Sequence, residues 1–305
     1  MAITVVGTVA LDTIETPFGK VRDSLGGSAT FFSVAASFFT SVNLVAVVGG
    51  DFPKQHIEFL KSRKVNVEGL EVIQNGKTFR WNGSYGHDLN NAQTNETQLN
   101  VIKDYAPVLP ESCKNPEILF LANIDPDQQQ RVIDQAGKPG FIALDTMNLW
   151  IKIKKDSLIE AIKRVDLVTI NESEARLLTG TPNLVRAAKE IQNYGPSTVV
   201  IKRGEYGAML FSGDQIFCAP ALPLEELNDP TGAGDSFAGG MMGYLDRWNT
   251  ITFDNLKTSV ITGSVLASYN VEKFSCDRLK EITMKEIMER FVQFESLSYF
   301  EAMQV

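Results

Sequence analysis

From Glu117 almost to its end, the chain alternates short apolar runs with amphipathic stretches, and this pattern restricts the fold more than any other feature. Ile118–Leu121, Phe141–Leu144, Leu167–Ile170, Thr198–Lys202 and Ala208–Phe211 read as buried strands. Pro126–Gln135, Ile151–Arg164, Glu172–Leu178 and Leu184–Tyr194 read as the helices between them, and three more helices follow near 233–246, 254–270 and 284–296. Strands joined through helices pair in parallel, and their crossovers cover both sheet faces. The first part of the chain joins this pattern with strands at Ile3–Gly7 and Val42–Val48 and helices at about 28–39 and Lys54–Arg63. The expected fold is therefore α/β, with a mostly parallel central sheet flanked by helices on both faces.

One region breaks the pattern. Leu70 to Lys103 is rich in Asn, Gln, Thr and aromatics, with strand-like runs at Lys77–Gly83 and Gln98–Ile102. Together with a β-compatible segment ending near Asp23, it predicts a small β-rich lid built from about 12–24 and about 70–103. A polar insert of that length in a compact domain usually serves function.

Several function classes are excluded early. Thirty-seven acids against 29 bases leave a net charge of −8, which argues against nucleic-acid binding by phosphate neutralisation. A small anionic ligand is still allowed, because a local site can be basic inside an acidic surface. Three cysteines are too few and too scattered for a disulfide framework, which points to a reducing, cytoplasmic setting. Ala29–Phe39, the most apolar stretch, is far short of the ~20 residues that span a bilayer. With only His56 and His87 present, histidine zinc sites and Ser-His-Asp triads have no matching motif. Carboxylates and backbone amides are left to carry the chemistry.

The strongest local signal is Asp229-Pro230-Thr231-Gly232-Ala233-Gly234-Asp235-Ser236-Phe237, which runs into a helix. Small residues at a helix start let backbone N–H groups converge on an anion, and the helix dipole favours negative charge there. Asp235, in the first turn, could take a proton from a hydroxyl while those amides hold a transferring phosphoryl group. The plainer reading is a glycine-rich helix start with an ordinary first-turn acid. Neither a P-loop nor a dinucleotide-binding GxGxxG motif is present.

Four segments in order make a resemblance specific. Gly7…Asp12 with Gly26-Gly27, Asn171-Glu172-Ser173-Glu174, Lys202-Arg203-Gly204-Glu205-Tyr206-Gly207 and the 229–240 segment together resemble the signatures of the PfkB, or ribokinase-like, kinases across essentially the whole chain. The resemblance implies a single ribokinase-like kinase domain over 1–305 that transfers the γ-phosphate of ATP to a hydroxyl of a small sugar-like substrate. It implies Asp235 as base, with the amides of Gly232, Ala233 and Gly234 as the anion hole. Asp12, Gly26, Gly27, Phe31 and Asn123 would face the acceptor. Asn171, Glu174, Lys202, Gly204 and Gly207 would line the nucleotide, with Glu174 organising Mg²⁺ through water. Asp229 and Thr231 match positions that hold a monovalent cation such as K⁺ in several members. Lids in the family often pair across a homodimer.

Plainer readings stand beside these. Gly26-Gly27 is also a tight turn, and Asn171 with Glu174 is also a helix capping box. Phe31 occupies a position where the family commonly has an asparagine, so either the acceptor site is partly apolar or the ring packs into the core with Phe32. Asp145-Thr146-Met147-Asn148-Leu149-Trp150 resembles a sugar-kinase stretch but lacks its arginine, although Arg80 could bind an anionic group. Phe79, Trp81 and Tyr85 alternate and could offer an aromatic face to a sugar or nucleobase. A nucleoside or inositol is thus the alternative acceptor, and a non-catalytic ligand-binding protein a further one.

Overall fold

The computed structural model describes residues 2–301 and residue 303. The chain begins with β1 (Ala2–Val6), β2 (Ala10–Thr16), β3 (Gly19–Gly26), α1 (Ser28–Ala36), β4 (Ser41–Gly49), α2 (Lys54–Ser62), β5 (Val65–Asn66), β6 (Leu70–Ile73), β7 (Phe79–Tyr85) and β8 (Ala92–Gln98). It continues through β9 (Ile118–Leu121), α3 (Pro126–Gln135), β10 (Phe141–Asp145), α4 (Asn148–Ile153), α5 (Lys155–Ile162), β11 (Leu167–Asn171), α6 (Glu172–Thr179), α7 (Leu184–Tyr194) and β12 (Thr198–Lys202). The last elements are β13 (Ala208–Ser212), β14 (Gln215–Ala219), α8 (Ala233–Trp248), α9 (Phe253–Asn270), α10 (Asp277–Glu281) and α11 (Met284–Ser298).

Ten strands form the central sheet in the order β14-β13-β12-β11-β10-β9-β1-β4-β5, with β6 also paired to β4. All neighbours from β12 to β5 pair in parallel, and only β13 and β14 are antiparallel. Central strands such as β9 are buried at every residue, which is why they read as continuous apolar runs rather than as alternation. One face packs on α1, α8 and α9, where Phe32 stacks on Phe120 at 4.2 Å between ring centroids. The other face packs on α3, α5, α6 and α7.

A separate four-stranded sheet runs β3-β2-β7-β8. Its strands differ from the sequence expectation in two places: Leu70–Ile73, the start of the expected lid segment, is β6 and pairs with β4 of the central sheet instead. The run Gln98–Ile102 closes β8 and continues as a 3-10 turn over Asn100–Asp104. Asn100 there has a positive φ of 47°, which ends an extended strand. The helix expected over Ile151–Arg164 is broken at Lys154, whose ammonium is drawn to Asp125 at 2.7 Å and Asp127 at 2.5 Å. Among the described residues no helix is long and apolar enough to cross a membrane. Strand β8, AQTNETQ, is exposed at every residue and presents a solvated polar edge.

Candidate active site

Parallel register brings the polar strand ends together. Asn171 pairs with Lys202, and Asp145 with Thr169, so Asp145, Asn171 and Lys202 reach the carboxyl edge of β10, β11 and β12 side by side. Ligands collect at that edge in open parallel sheets. Lys202 Nζ donates to Asp145 Oδ2 at 2.6 Å. Helix α6 starts here with a complete capping box: Asn171 Oδ1 accepts from the Glu174 N–H at 2.8 Å, and Glu174 Oε2 accepts from the Asn171 N–H at 2.9 Å. The box turns the Glu174 carboxylate back toward the strand ends, where it is only 7% exposed.

Helix α8 points its N-terminus at the same place. Gly232 has φ 76°, and a Cβ there would stand 2.4 Å from the Phe31 ring, so only glycine fits. No side chain caps the helix; the Ala233 N–H already donates to the Pro230 carbonyl at 3.2 Å, while among the described residues the Gly234 N–H has no protein acceptor and is open to an anion. Burial and the nearby Asp145 push the Asp235 carboxyl up to about 7, against the pull of Lys202. The same two influences push Glu174 up to about 7. Burial draws the Lys202 ammonium down, but Asp145 and Glu174 hold it above its usual value. Asp145, Glu174 and Asp235 therefore face a single ammonium, an excess of negative charge that suits a divalent cation. Among the described residues no cluster of His, Cys, Asp or Glu is placed to grip a metal directly.

The loop before α8 is anchored. Asp229 is fully buried and accepts from the Thr231 N–H at 2.9 Å and the Ser275 N–H at 3.1 Å. Asn270 Nδ2 donates to the Thr231 carbonyl at 2.8 Å. Each Asp229 oxygen keeps a second lone pair, the capacity a monovalent cation would use beside Thr231.

Asp12, Gly26 and Gly27 meet at the start of α1. Asp12 is 4% exposed with Oδ1 lacking a protein partner, and a Cβ on Gly26 would stand 1.9 Å from its other oxygen. Burial, then Asp229, pushes the Asp12 carboxyl up to about 8. Gly27, with φ 94°, is the N-cap of α1. Phe31 is buried beneath Gly232, so its ring supports the anion-binding loop and also belongs to the core beside Phe32. Asn123 is already engaged: its Oδ1 accepts from Trp150 Nε1 at 2.9 Å, and its Nδ2 lies 3.2 Å from Met147 Sδ. Gly204 and Gly207 bound the turn after Lys202, both with positive φ. Arg80 is bound to Asp23 and, at 3.0 Å, to Asp51, so it is not free for an anionic ligand.

Three contacts were not legible beforehand. Trp81 shares the backbone register of Asp12, while its indole lies over Gly83 and donates to Thr94 Oγ1 at 3.2 Å. Tyr85 Oη lies 3.1 Å from Thr231 Oγ1, and Asn90 Nδ2 donates to Glu205 Oε1 at 3.2 Å, so the second sheet touches both loops of the cleft. Asp145 stood out in the sequence only as the first residue of the 145–150 stretch that resembles a sugar-kinase segment, with nothing to link it to Lys202.

Comparison with known proteins bears on this geometry. The family model described as pfkB family carbohydrate kinase matches residues 2–282. The chain belongs to the pfkB family. It is 32% identical over 252 residues to a protein named cytidine kinase from Thermococcus kodakarensis, covering 80% of this chain and 88% of that one. The crystal structure of the Methanocaldococcus jannaschii nucleoside kinase superposes with a TM-score of 0.75 at 21% identity, covering 96% and 98% of the two chains. A Burkholderia thailandensis nucleoside kinase in complex with ADP-inosine gives a TM-score of 0.78 at 17% identity, covering 96% of each chain. As a pfkB kinase, the protein is a phosphotransferase that acts on a hydroxyl group.

Proposed function

We propose that this pfkB kinase phosphorylates a primary hydroxyl of a nucleoside, with ATP as donor. The observation that carries this reading is the buried Asp12 on the same face of the second sheet as the aromatic residues of β7, with Trp81 in its backbone register. A carboxyl group suits ribose hydroxyls, and an aromatic face on the same side of the sheet suits a base. Phe79, Trp81 and Tyr85 share one face of β7 by strand alternation, which extends the aromatic surface. The named likeness to a cytidine kinase supports the same choice over a free sugar or inositol.

In the reaction, the Asp235 carboxylate takes the proton of the acceptor hydroxyl. A new O–P bond forms at the γ-phosphorus while its bond to the β-phosphate oxygen breaks, and ADP leaves with that electron pair. The amides of Gly232, Ala233 and Gly234 hold the charged oxygens. Asn171, Lys202, Gly204 and Gly207 line the nucleotide. Mg²⁺, organised by Glu174 through water, neutralises phosphate charge when bound. Asp229 and Thr231 would hold a monovalent cation, whose charge would offset that of the Asp229 carboxylate in the loop before α8. The second sheet closes over the acceptor and excludes water, so that transfer outruns ATP hydrolysis. The free thiols of Cys113, Cys218 and Cys276 suit the reducing cytoplasm.

A coupled ADP-release screen over nucleosides, pentoses, hexoses and inositols tests the reading, with a nucleoside expected as the leading acceptor. Trp81→Ala should raise the nucleoside KM by about 10–100-fold, the scale of one base–aromatic stack. A pentose preferred over every nucleoside, with Trp81→Ala neutral, would sink the nucleoside assignment.

Asp12→Asn separates acceptor binding from stability. Losing the carboxyl's hydrogen bond to an acceptor hydroxyl should raise the acceptor KM by about 10-fold. The folded pKa of Asp12, about 8, lies above its ordinary 3.8, so the unliganded wild type loses stability as pH rises across that window. The asparagine variant escapes this loss and should melt about 2–4 °C or more above wild type at pH 9, with no such gain at pH 4. Differential scanning fluorimetry at both pH values checks it.

A further inference from the structure

Lys202 is placed for more than lining a nucleotide. Its side chain is 15% exposed and that of its partner Asp145 is 4% exposed, so the pair is largely withdrawn from water. Asp145 takes one of the three N–H donors of the ammonium. Among the described residues the other two have no protein acceptor. Gly234 borders them closely: a Cβ on that residue would stand 3.1 Å from Nζ. The ammonium therefore lies against the second residue of α8, in the first turn of that helix, where the Gly234 N–H has no protein acceptor among the described residues. A methyl group at residue 234 would press on the ammonium, whereas glycine lets the amide and the cation border the same space.

A purely structural ion pair explains this less well. Three acids share the region, and one ammonium does not balance them. A buried pair is also a weak source of stability, because desolvation cancels most of its attraction. Its value is greater if a phosphoryl group supplies the missing acceptors. Charge-assisted bonds to phosphate oxygens are short and strong in a site shielded from water.

We propose that Lys202 is a catalytic residue that forms the cationic wall of the anion hole and binds the transferring phosphoryl oxygens, and that Asp145 is the positioning residue holding it there. The proposal rests on the kinase reading above. Lys202 breaks and makes no covalent bond. It holds charge on the phosphoryl oxygens while the proton goes to Asp235 and ADP departs. Because the γ-phosphate is the group it touches, Lys202 should distinguish ATP from ADP.

The test is calorimetric titration with ATP and with ADP, both with Mg²⁺, alongside melting temperature and kcat. Lys202→Met, Asp145→Asn and the double variant are compared with wild type. Lys202→Met should weaken ATP about 10–100-fold while ADP stays within about threefold, and should lower kcat about 100-fold. It should also melt lower, because Asp145 is left buried and unpaired. The double variant removes that orphaned charge, so its melting temperature should recover while ATP discrimination and kcat do not. Asp145→Asn should keep the preference for ATP and lose kcat more mildly. The proposal is overturned if the double variant regains kcat, or if ATP and ADP weaken alike in Lys202→Met. A wild-type protein that binds neither nucleotide would overturn the kinase reading itself, and with it this role for Lys202.

Discussion

Asp235→Asn should lower kcat by at least about 10³-fold, the scale of a lost general base, while ATP still binds. Asparagine has the same shape but cannot accept the acceptor's proton. Removing this carboxylate also takes one negative charge from a region where Asp145 and Glu174 remain. Nucleotide affinity should therefore hold or improve, since phosphate meets less repulsion. Stability should move the same way. Burial raises the Asp235 carboxyl to about 7, so its charged form weighs against folding at pH 8, and the amide has no charged form. A variant that melts higher, binds ATP and does not turn over cannot be explained by misfolding. Coupled ADP release, calorimetry and thermal melting together read all three. Turnover within about tenfold of wild type would remove Asp235 from the role of base.

Gly232→Ala should be nearly as damaging, for a reason of shape rather than charge. With φ at 76°, an alanine there carries about 1–2 kcal/mol of backbone strain. Its methyl would stand 2.4 Å from the Phe31 ring, which is buried and has little room to yield. The loop must shift, and the N–H groups of the next two residues shift with it. A misdirected anion-hole donor is worth about 10²–10³ in kcat, with smaller changes in KM. Gly213→Ala is the control: Gly213 has φ 54° with nothing within 4 Å of an added Cβ, in the turn between β13 and β14. It carries the strain without the collision and should leave kcat unchanged. Adding Phe31→Leu to Gly232→Ala should recover part of the rate by relieving the collision. Gly232→Ala with kcat within about threefold of wild type would show that the loop tolerates the shift.

Much of this was legible in the chain itself. A parallel sheet buried on both faces needs unbroken apolar strands, and β9, β11 and β12 carry them with turn residues close by. Asn171 and Glu174 announced their capping box because that device is local, three residues apart on one helix end. Asp235 and Gly232–Gly234 were legible for the same reason. The second sheet was harder. Its strands are polar and exposed on one side, so β8 gives no apolar pattern and its bounds shifted by several residues.

Contacts across long separations were not legible at all. Lys202 meets Asp145 across 57 residues, Tyr85 meets Thr231 across 146, and the backbone of Trp81 comes beside that of Asp12 only through strand register. The α/β alternation, the helix-start glycines and the capping box are set among neighbouring residues by steric and hydrogen-bond preferences, so they could be read along the chain. Only the tertiary structure decided that Phe31 lies beneath Gly232, that Arg80 is occupied by Asp23 and Asp51, and that one lysine faces three acids. Those outcomes depend on how the sheet stacks its strand ends and on which charges share a space shielded from water, and spacing along a chain carries neither.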